Sequence, residues 1–118
     1  MKKLIFVDDD KDMLKLLGII MGKDYEVHLY SDASHLIENI KEVQPDLLIL
    51  DNLIGDHSSE TVIETLKKDG SIKIPPIILH SGTPDLAARA EKLQAAGYLP
   101  KPSSISEIKN YIDGFLQN

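Results

Sequence analysis

Two four-residue apolar runs, Leu4-Ile-Phe-Val7 and Leu47-Leu-Ile-Leu50, each stop abruptly at aspartate: Asp8-Asp9-Asp10 after the first, Asp51 after the second. A run that is apolar at every position and only four residues long suits a strand buried on both faces, the environment of a parallel sheet. Ile77-Ile-Leu79 behind Pro75-Pro76 repeats the pattern, and Val27 to Leu29 (with Tyr30) and Tyr98-Leu99-Pro100 make two shorter strands. Between these runs the spacing turns helical. Met13, Leu16, Leu17 and Ile20 form one such set, with Asp10 as its N-cap. Leu36, Ile37, Ile40 and Val43 form a second, expected to be capped by Ser31 or Asp32 and to end before Pro45. Val62, Ile63 and Leu66 mark a third that stops near Gly70, after a polar loop from Asn52 to about Ser58. Leu86, Ala87, Ala90 and Leu93 mark a fourth, with Pro84 near its start and Gly97 suited to its C-cap. Ile105, Ile108, Ile112 and Phe115 or Leu116 mark the last.

Five βα units in series predict an α/β fold: a parallel sheet with helices on both faces, doubly wound because crossovers are right-handed. With 118 residues and no linker or internal repeat, residues 1–118 read as one domain. That size buries a core without covalent help, and the chain has no cysteine, so disulfides and thiolate metal sites are excluded. The apolar run near the N-terminus is too short for a signal peptide or a membrane span, and a cytoplasmic protein is expected. A net charge of -6 argues against a broad nucleic-acid surface, which needs clustered Lys and Arg.

In a doubly wound sheet the ligand site lies beyond the carboxyl ends of the strands. Asp8 and Asp9 end the first strand, Asp51 the third, Ser81 the fourth and Lys101 the fifth. Any one of these alone is an ordinary cap or turn residue. Together they put three carboxylates, a hydroxyl and an ammonium on one edge. Crowded carboxylates call for a cation, and an all-oxygen set with few protein ligands favours Mg²⁺. Mg²⁺ and Lys beside a carboxylate also make a phosphoryl-transfer site. In this reading Asp51 is the nucleophile, Asp9 and Asp8 hold the metal with the backbone carbonyl of Leu53, and Ser81 and Lys101 bind the phosphoryl oxygens.

These residues, in this order, make the whole chain similar to the receiver domains of two-component response regulators. The quoted motifs are Asp8-Asp9 after L-I-F-V, Asp51 after L-L-I-L, Ser81 in I-I-L-H-S-G, and Lys101-Pro102. The resemblance implies a flavodoxin-like strand order 2-1-3-4-5 and a phosphorelay role. A histidine kinase or histidine phosphotransfer protein would donate phosphate to Asp51, and small donors such as acetyl phosphate would serve too. It further implies that Ser81 and Tyr98 switch on phosphorylation, that the fourth helix, fifth strand and fifth helix form the responding surface, and that Lys101-Pro102 is cis. The partners implied are a downstream protein target or a fused effector domain, and a phosphorylation-dependent homodimer. The only catalysis expected is phosphoryl transfer to the chain's own aspartate.

Some positions depart from the family pattern. Gly55 and Ser59 replace the common Pro and Gly after the phosphoacceptor, so greater mobility is expected in that loop. Gly82 stands where Ala is frequent, and Pro100 before Lys101 marks the last strand as an edge. Leu53 and Thr83 occupy the places that control autodephosphorylation in the family, and neither activates water, so a phosphate lifetime beyond a few seconds is expected. His28, His35, His57 and His80 show no metal-ligand spacing, though His80 and His57 flank the site. On the first helix, Leu14, Gly18 and Met21 are expected off the core stripe of Met13, Leu17 and Ile20, as a patch for the phosphodonor. The rival readings are a pseudo-receiver, acting as a phosphorylation-independent interaction module, and a phosphatase-like hydrolase. The intact acids, Ser81 and Lys101 oppose the first, and the lack of room for a cap domain opposes the second.

Overall fold

The structure is a computed structural model and describes residues 1–51, 53–54 and 57–117, with only the backbone of 53, 54 and 57. Five parallel strands form the sheet: β1 (Lys3–Val7), β2 (Glu26–Tyr30), β3 (Leu47–Asp51), β4 (Ile77–Ser81) and β5 (Gly97–Pro100). Their spatial order is β2-β1-β3-β4-β5. Five helices connect or follow them: α1 (Lys11–Met21), α2 (Leu36–Val43), α3 (Ser59–Lys68), α4 (Leu86–Lys92) and α5 (Ile105–Leu116). The expected doubly wound architecture and strand order are therefore present.

Strand alternation sorts the apolar runs into two layers. Ile5, Val7, Leu48, Leu50, Ile77 and Leu79 face α2, α3 and α4. Leu4, Phe6, Leu47, Ile49 and Ile78 face α1 and α5. Every one of these side chains is buried, which is why β1 and β3 read as unbroken apolar runs. β2 and β5 lie at the sheet edges, as Pro100 implied for the latter.

Four local expectations are corrected. On α1 the buried stripe is Leu14, Leu17 and Met21, whereas Leu16 and Ile19 are 51% and 59% exposed. This helix is apolar at so many positions that two stripes sharing Leu17 both satisfy a 3.6 period, and packing on the sheet selects one. Gly18 belongs to the packed side, for a Cβ there would lie 2.8 Å from Leu29 Cδ1. Secondly, neither Ser31 nor Asp32 caps α2. The Asp32 carboxylate accepts from the Ser34 backbone N–H at 3.0 Å and from its hydroxyl, closing a separate turn, and His35 stands uncapped at the helix start. Thirdly, Gly97 does not cap α4, which ends at Lys92 with Gln94 in the left-handed region (φ 59°). Gly97 opens β5, where a Cβ would collide with Tyr111 Oη at 2.2 Å. Fourthly, part of the segment read as a polar loop forms an antiparallel pairing of Leu53–Ile54 with His57–Ser58. The expectation about loop mobility falls on Asn52, Gly55 and Asp56, which lie outside the described residues.

Candidate functional site

The carboxyl ends of β1, β3, β4 and β5 converge where the sheet order places them. Asp8 is buried, Asp51 half-buried and Asp9 exposed, and one oxygen from each lies within 4.8 Å of the others. Lys101 reaches across from the end of β5. Its Nζ donates to Asp8 Oδ2 at 2.9 Å and stands 3.3 Å from Asp51 Oδ1. Burial pulls the Lys101 pKa down, but the Asp8 hydrogen bond and the charges of Asp8 and Asp51 outweigh it, leaving the ammonium above its ordinary value. The lysine thus serves as counter-charge to the trio.

Local structure holds these groups in place. Asp8 takes its position from the Asp8 N–H bond to the Tyr30 carbonyl, 3.1 Å, which ties the end of β1 to β2. Its Oδ1 accepts from the Asp10 N–H at 3.0 Å, while Asp10 caps α1 by accepting from the Met13 N–H, as expected. Lys101 is placed by its own N–H donating to the Ser81 carbonyl at 2.9 Å, and the Lys101-Pro102 peptide is cis. Ser81 is buried, and its Oγ accepts the Thr83 N–H at 3.0 Å and lies 2.7 Å from Thr83 Oγ1. Tyr98 is 43% exposed on β5, its ring turned toward solvent.

The trio suits a hard divalent cation. Its donors are all carboxylate oxygens, and Mg²⁺ bonds of about 2.0–2.1 Å need oxygens roughly 3–4 Å apart, within small side-chain rotations of the observed spacing. Of the sequence-predicted set, Asp8, Asp9, Asp51 and Lys101 meet, with Ser81 on the neighbouring strand end. A cavity of about 510 Å³ at the opposite end of the sheet, between α2 and residues 71–76, contains none of them.

His80 shows a feature that spacing did not reveal. It pairs in register with Asp51 and faces the α1 and α5 layer, only 3% exposed. Its Nε2 is buried without a hydrogen-bond partner among the described residues. Burial, with the charge of Lys101 adding and that of Asp8 opposing, lowers its pKa to about 4, so the ring is neutral. An unsatisfied buried group of this kind costs about 1–3 kcal/mol. The one available signal was a polar residue breaking the apolar run Ile77-Ile-Leu79.

Comparisons with known proteins identify the family and agree with the fold. The model of the response regulator receiver domain family matches residues 4–113. The chain belongs to the response regulator receiver domain family, signalling modules of two-component systems. It is 26% identical over 116 residues to the sensor histidine kinase TmoS of Ectopseudomonas mendocina, covering 97% of this chain and 12% of that protein. It is 25% identical over 108 residues to the DNA-binding response regulator MtrA of Mycolicibacterium smegmatis, covering 91% of this chain and 47% of that one. The chain thus spans half or less of these relatives. The N-terminal domain of the nisin resistance regulator NsrR superposes with a TM-score of 0.84 at 23% identity, covering 99% of both chains. The BeF3-activated N-terminal receiver domain of Klebsiella pneumoniae RstA gives 0.81 at 22%, covering 99% and 100%. Among the described residues no helix is long and apolar enough to cross a membrane.

Proposed function

We propose that Asp51 is the phosphoacceptor of a two-component phosphorelay, with Mg²⁺ held by Asp8, Asp9, Asp51 and the Leu53 carbonyl. The observation that carries this reading is the convergence of the three carboxylates on Lys101 at the carboxyl end of the sheet. When bound, Mg²⁺ supplies positive charge to the transferring phosphoryl group. An Asp51 oxygen attacks phosphorus in line, its bond to phosphorus forming as the donor histidine's N–P bond breaks. Lys101 offsets the charge of the phosphoryl oxygens. Ser81 exchanges its Thr83 contact for a phosphoryl oxygen, and Tyr98 turns from solvent into the space that Ser81 leaves. Phosphorylation then biases a two-state equilibrium of the face formed by α4, β5 and α5.

The phosphodonor, a histidine kinase or phosphotransfer protein, docks on α1. The apolar residues it meets there are Leu16 and Ile19, which are exposed. The output partner is a downstream protein or a fused effector domain, in the cytoplasm. Intact-protein mass spectrometry after incubation with acetyl phosphate and Mg²⁺ tests the chemistry. Wild type gains one phosphoryl mass, and Asp51→Asn or omission of Mg²⁺ abolishes the gain. No gain in wild type with either acetyl phosphate or phosphoramidate would sink the reading.

A further inference from the structure

Ser81 ends β4 with its side chain buried, and the hydrogen bonds its Oγ makes among the described residues all go to Thr83. The Thr83 N–H donates to it at 3.0 Å, and Thr83 Oγ1 lies 2.7 Å away. A hydroxyl carries one proton to donate and two lone pairs to accept with, and a buried proton needs an acceptor. For Ser81 that acceptor, among the described residues, is Thr83 Oγ1. Ser81 thus accepts from the backbone of Thr83 and donates to its side chain. Thr83 itself is half-buried, so water can take the proton of its own hydroxyl.

The proton that Ser81 gives to Thr83 is the one a phosphoryl oxygen would take. β3 and β4 run side by side with Asp51 opposite His80, so a phosphoryl group on Asp51 lies one residue from Ser81 in register. Thr83 Oγ1 and the phosphoryl group therefore compete for a single donor. Without the Thr83 hydroxyl, a resting Ser81 would keep a buried proton with no acceptor, a cost that the phosphoryl-bound state does not bear.

We propose that the Thr83 hydroxyl is a latch on Ser81, holding it in its resting position and so setting how readily the site takes up a phosphoryl group. Thr83 is a positioning residue that acts through Ser81 and not on the hydrolytic water. The inference rests on the phosphoacceptor reading above. The test is calorimetric binding of beryllofluoride in Mg²⁺, a phosphoryl mimic that is not hydrolysed, so that phosphate lifetime does not enter. Thr83→Val binds it about fivefold more tightly than wild type, the effect of one ordinary hydrogen bond lost from the resting state alone. Thr83→Ser, which keeps the hydroxyl, returns to within about twofold of wild type, and in a Ser81→Ala background Thr83→Val changes affinity by less than about twofold. Melts give an independent arm. Thr83→Val melts below wild type without ligand and together with it in saturating beryllofluoride, whereas a merely structural threonine lowers both. A Thr83→Val affinity within twofold of wild type, or a gain that persists without the Ser81 hydroxyl, overturns the latch and leaves the phosphoacceptor reading standing. A wild type that binds no beryllofluoride in Mg²⁺ overturns the reading and the latch with it.

Discussion

Lys101 is the residue on which the electrostatics of the site turn. Asp8 is 4% exposed at its side chain and has the Lys101 ammonium at 2.9 Å. Removing one partner of a buried pair leaves the other charge uncompensated, at up to 3–5 kcal/mol, and the 28% exposure of Lys101 reduces that to about 1–3 kcal/mol. Lys101→Met is therefore expected to lower stability by that amount in EDTA. Mg²⁺ should restore most of the loss and should bind more tightly than in wild type, because the acids have lost their internal cation; melts across a Mg²⁺ series read both effects. His80 makes a second prediction, in pH. Its folded pKa is about 4 against 6.5 for the free side chain, so between those values the unfolded chain takes up a proton that the native protein refuses. Its contribution is full above pH 6.5 and falls as pH drops toward 4, by about 3 kcal/mol at most. Urea melts at pH 7, 5.5 and 4 should show this slope, and His80→Leu should flatten it. A slope unchanged by the substitution would assign it to other groups.

At the scale of elements, backbone conformations that side chains resist are the points to probe. Gln44 ends α2 in the left-handed region with φ 54°, a position that favours Gly. Gln44→Gly should stabilise the domain by about 0.5–1 kcal/mol, the relieved strain less the added unfolded-state entropy. Gly97 makes the opposite case. A Cβ there meets Tyr111 Oη at 2.2 Å and Ile78 Cδ1 at 2.9 Å. Gly97→Ala should cost about 1–3 kcal/mol, and Tyr111→Phe in the same chain should recover part of it by removing the hydroxyl. Additive losses in the double variant would refute that contact. α5, by contrast, is capped from both directions by the Ser104–Glu107 box. It is also tied to the α1–β2 connection through Tyr25 Oη donating to Asp113 at 2.5 Å and Lys109 bridging Asp113 and Asp24.

Across the whole molecule, stability is unevenly distributed. α4 is the shortest helix, begins after Asp85 at φ 60° with no side-chain cap, and gives way to Gln94 at φ 59°. It spans the side of the sheet next to Ser81 and Tyr98. Hydrogen exchange before and after phosphorylation should therefore change at residues 83–95 and in β5, while α1 residues 14–21, packed through Leu14, Leu17 and Met21, keep their protection. Exchange that changed mainly on α1 would contradict this layout.

The five strands of the parallel sheet, the helix count and the acidic strand ends were legible in the sequence because each depends on local pattern, whereas the short Leu53–Ile54 and His57–Ser58 pairing was not. A buried strand must be apolar throughout, and the residue that leaves it must be polar. Asp8, Asp9, Asp51, Ser81 and Lys101 could thus be assigned to one edge from chain order and crossover handedness alone. Contacts between distant segments were not legible in the same way. The apolar residues of α1 permit two stripes, and the sheet beneath chose Leu14, Leu17 and Met21. Gly97 reads as a helix cap until Tyr111 arrives from α5 to occupy the space beside it. His80 reads as an ordinary histidine until strand register and the α1 layer enclose its Nε2. A one-dimensional pattern records which face a residue prefers; what it meets on that face is decided only when segments far apart in the chain are packed together.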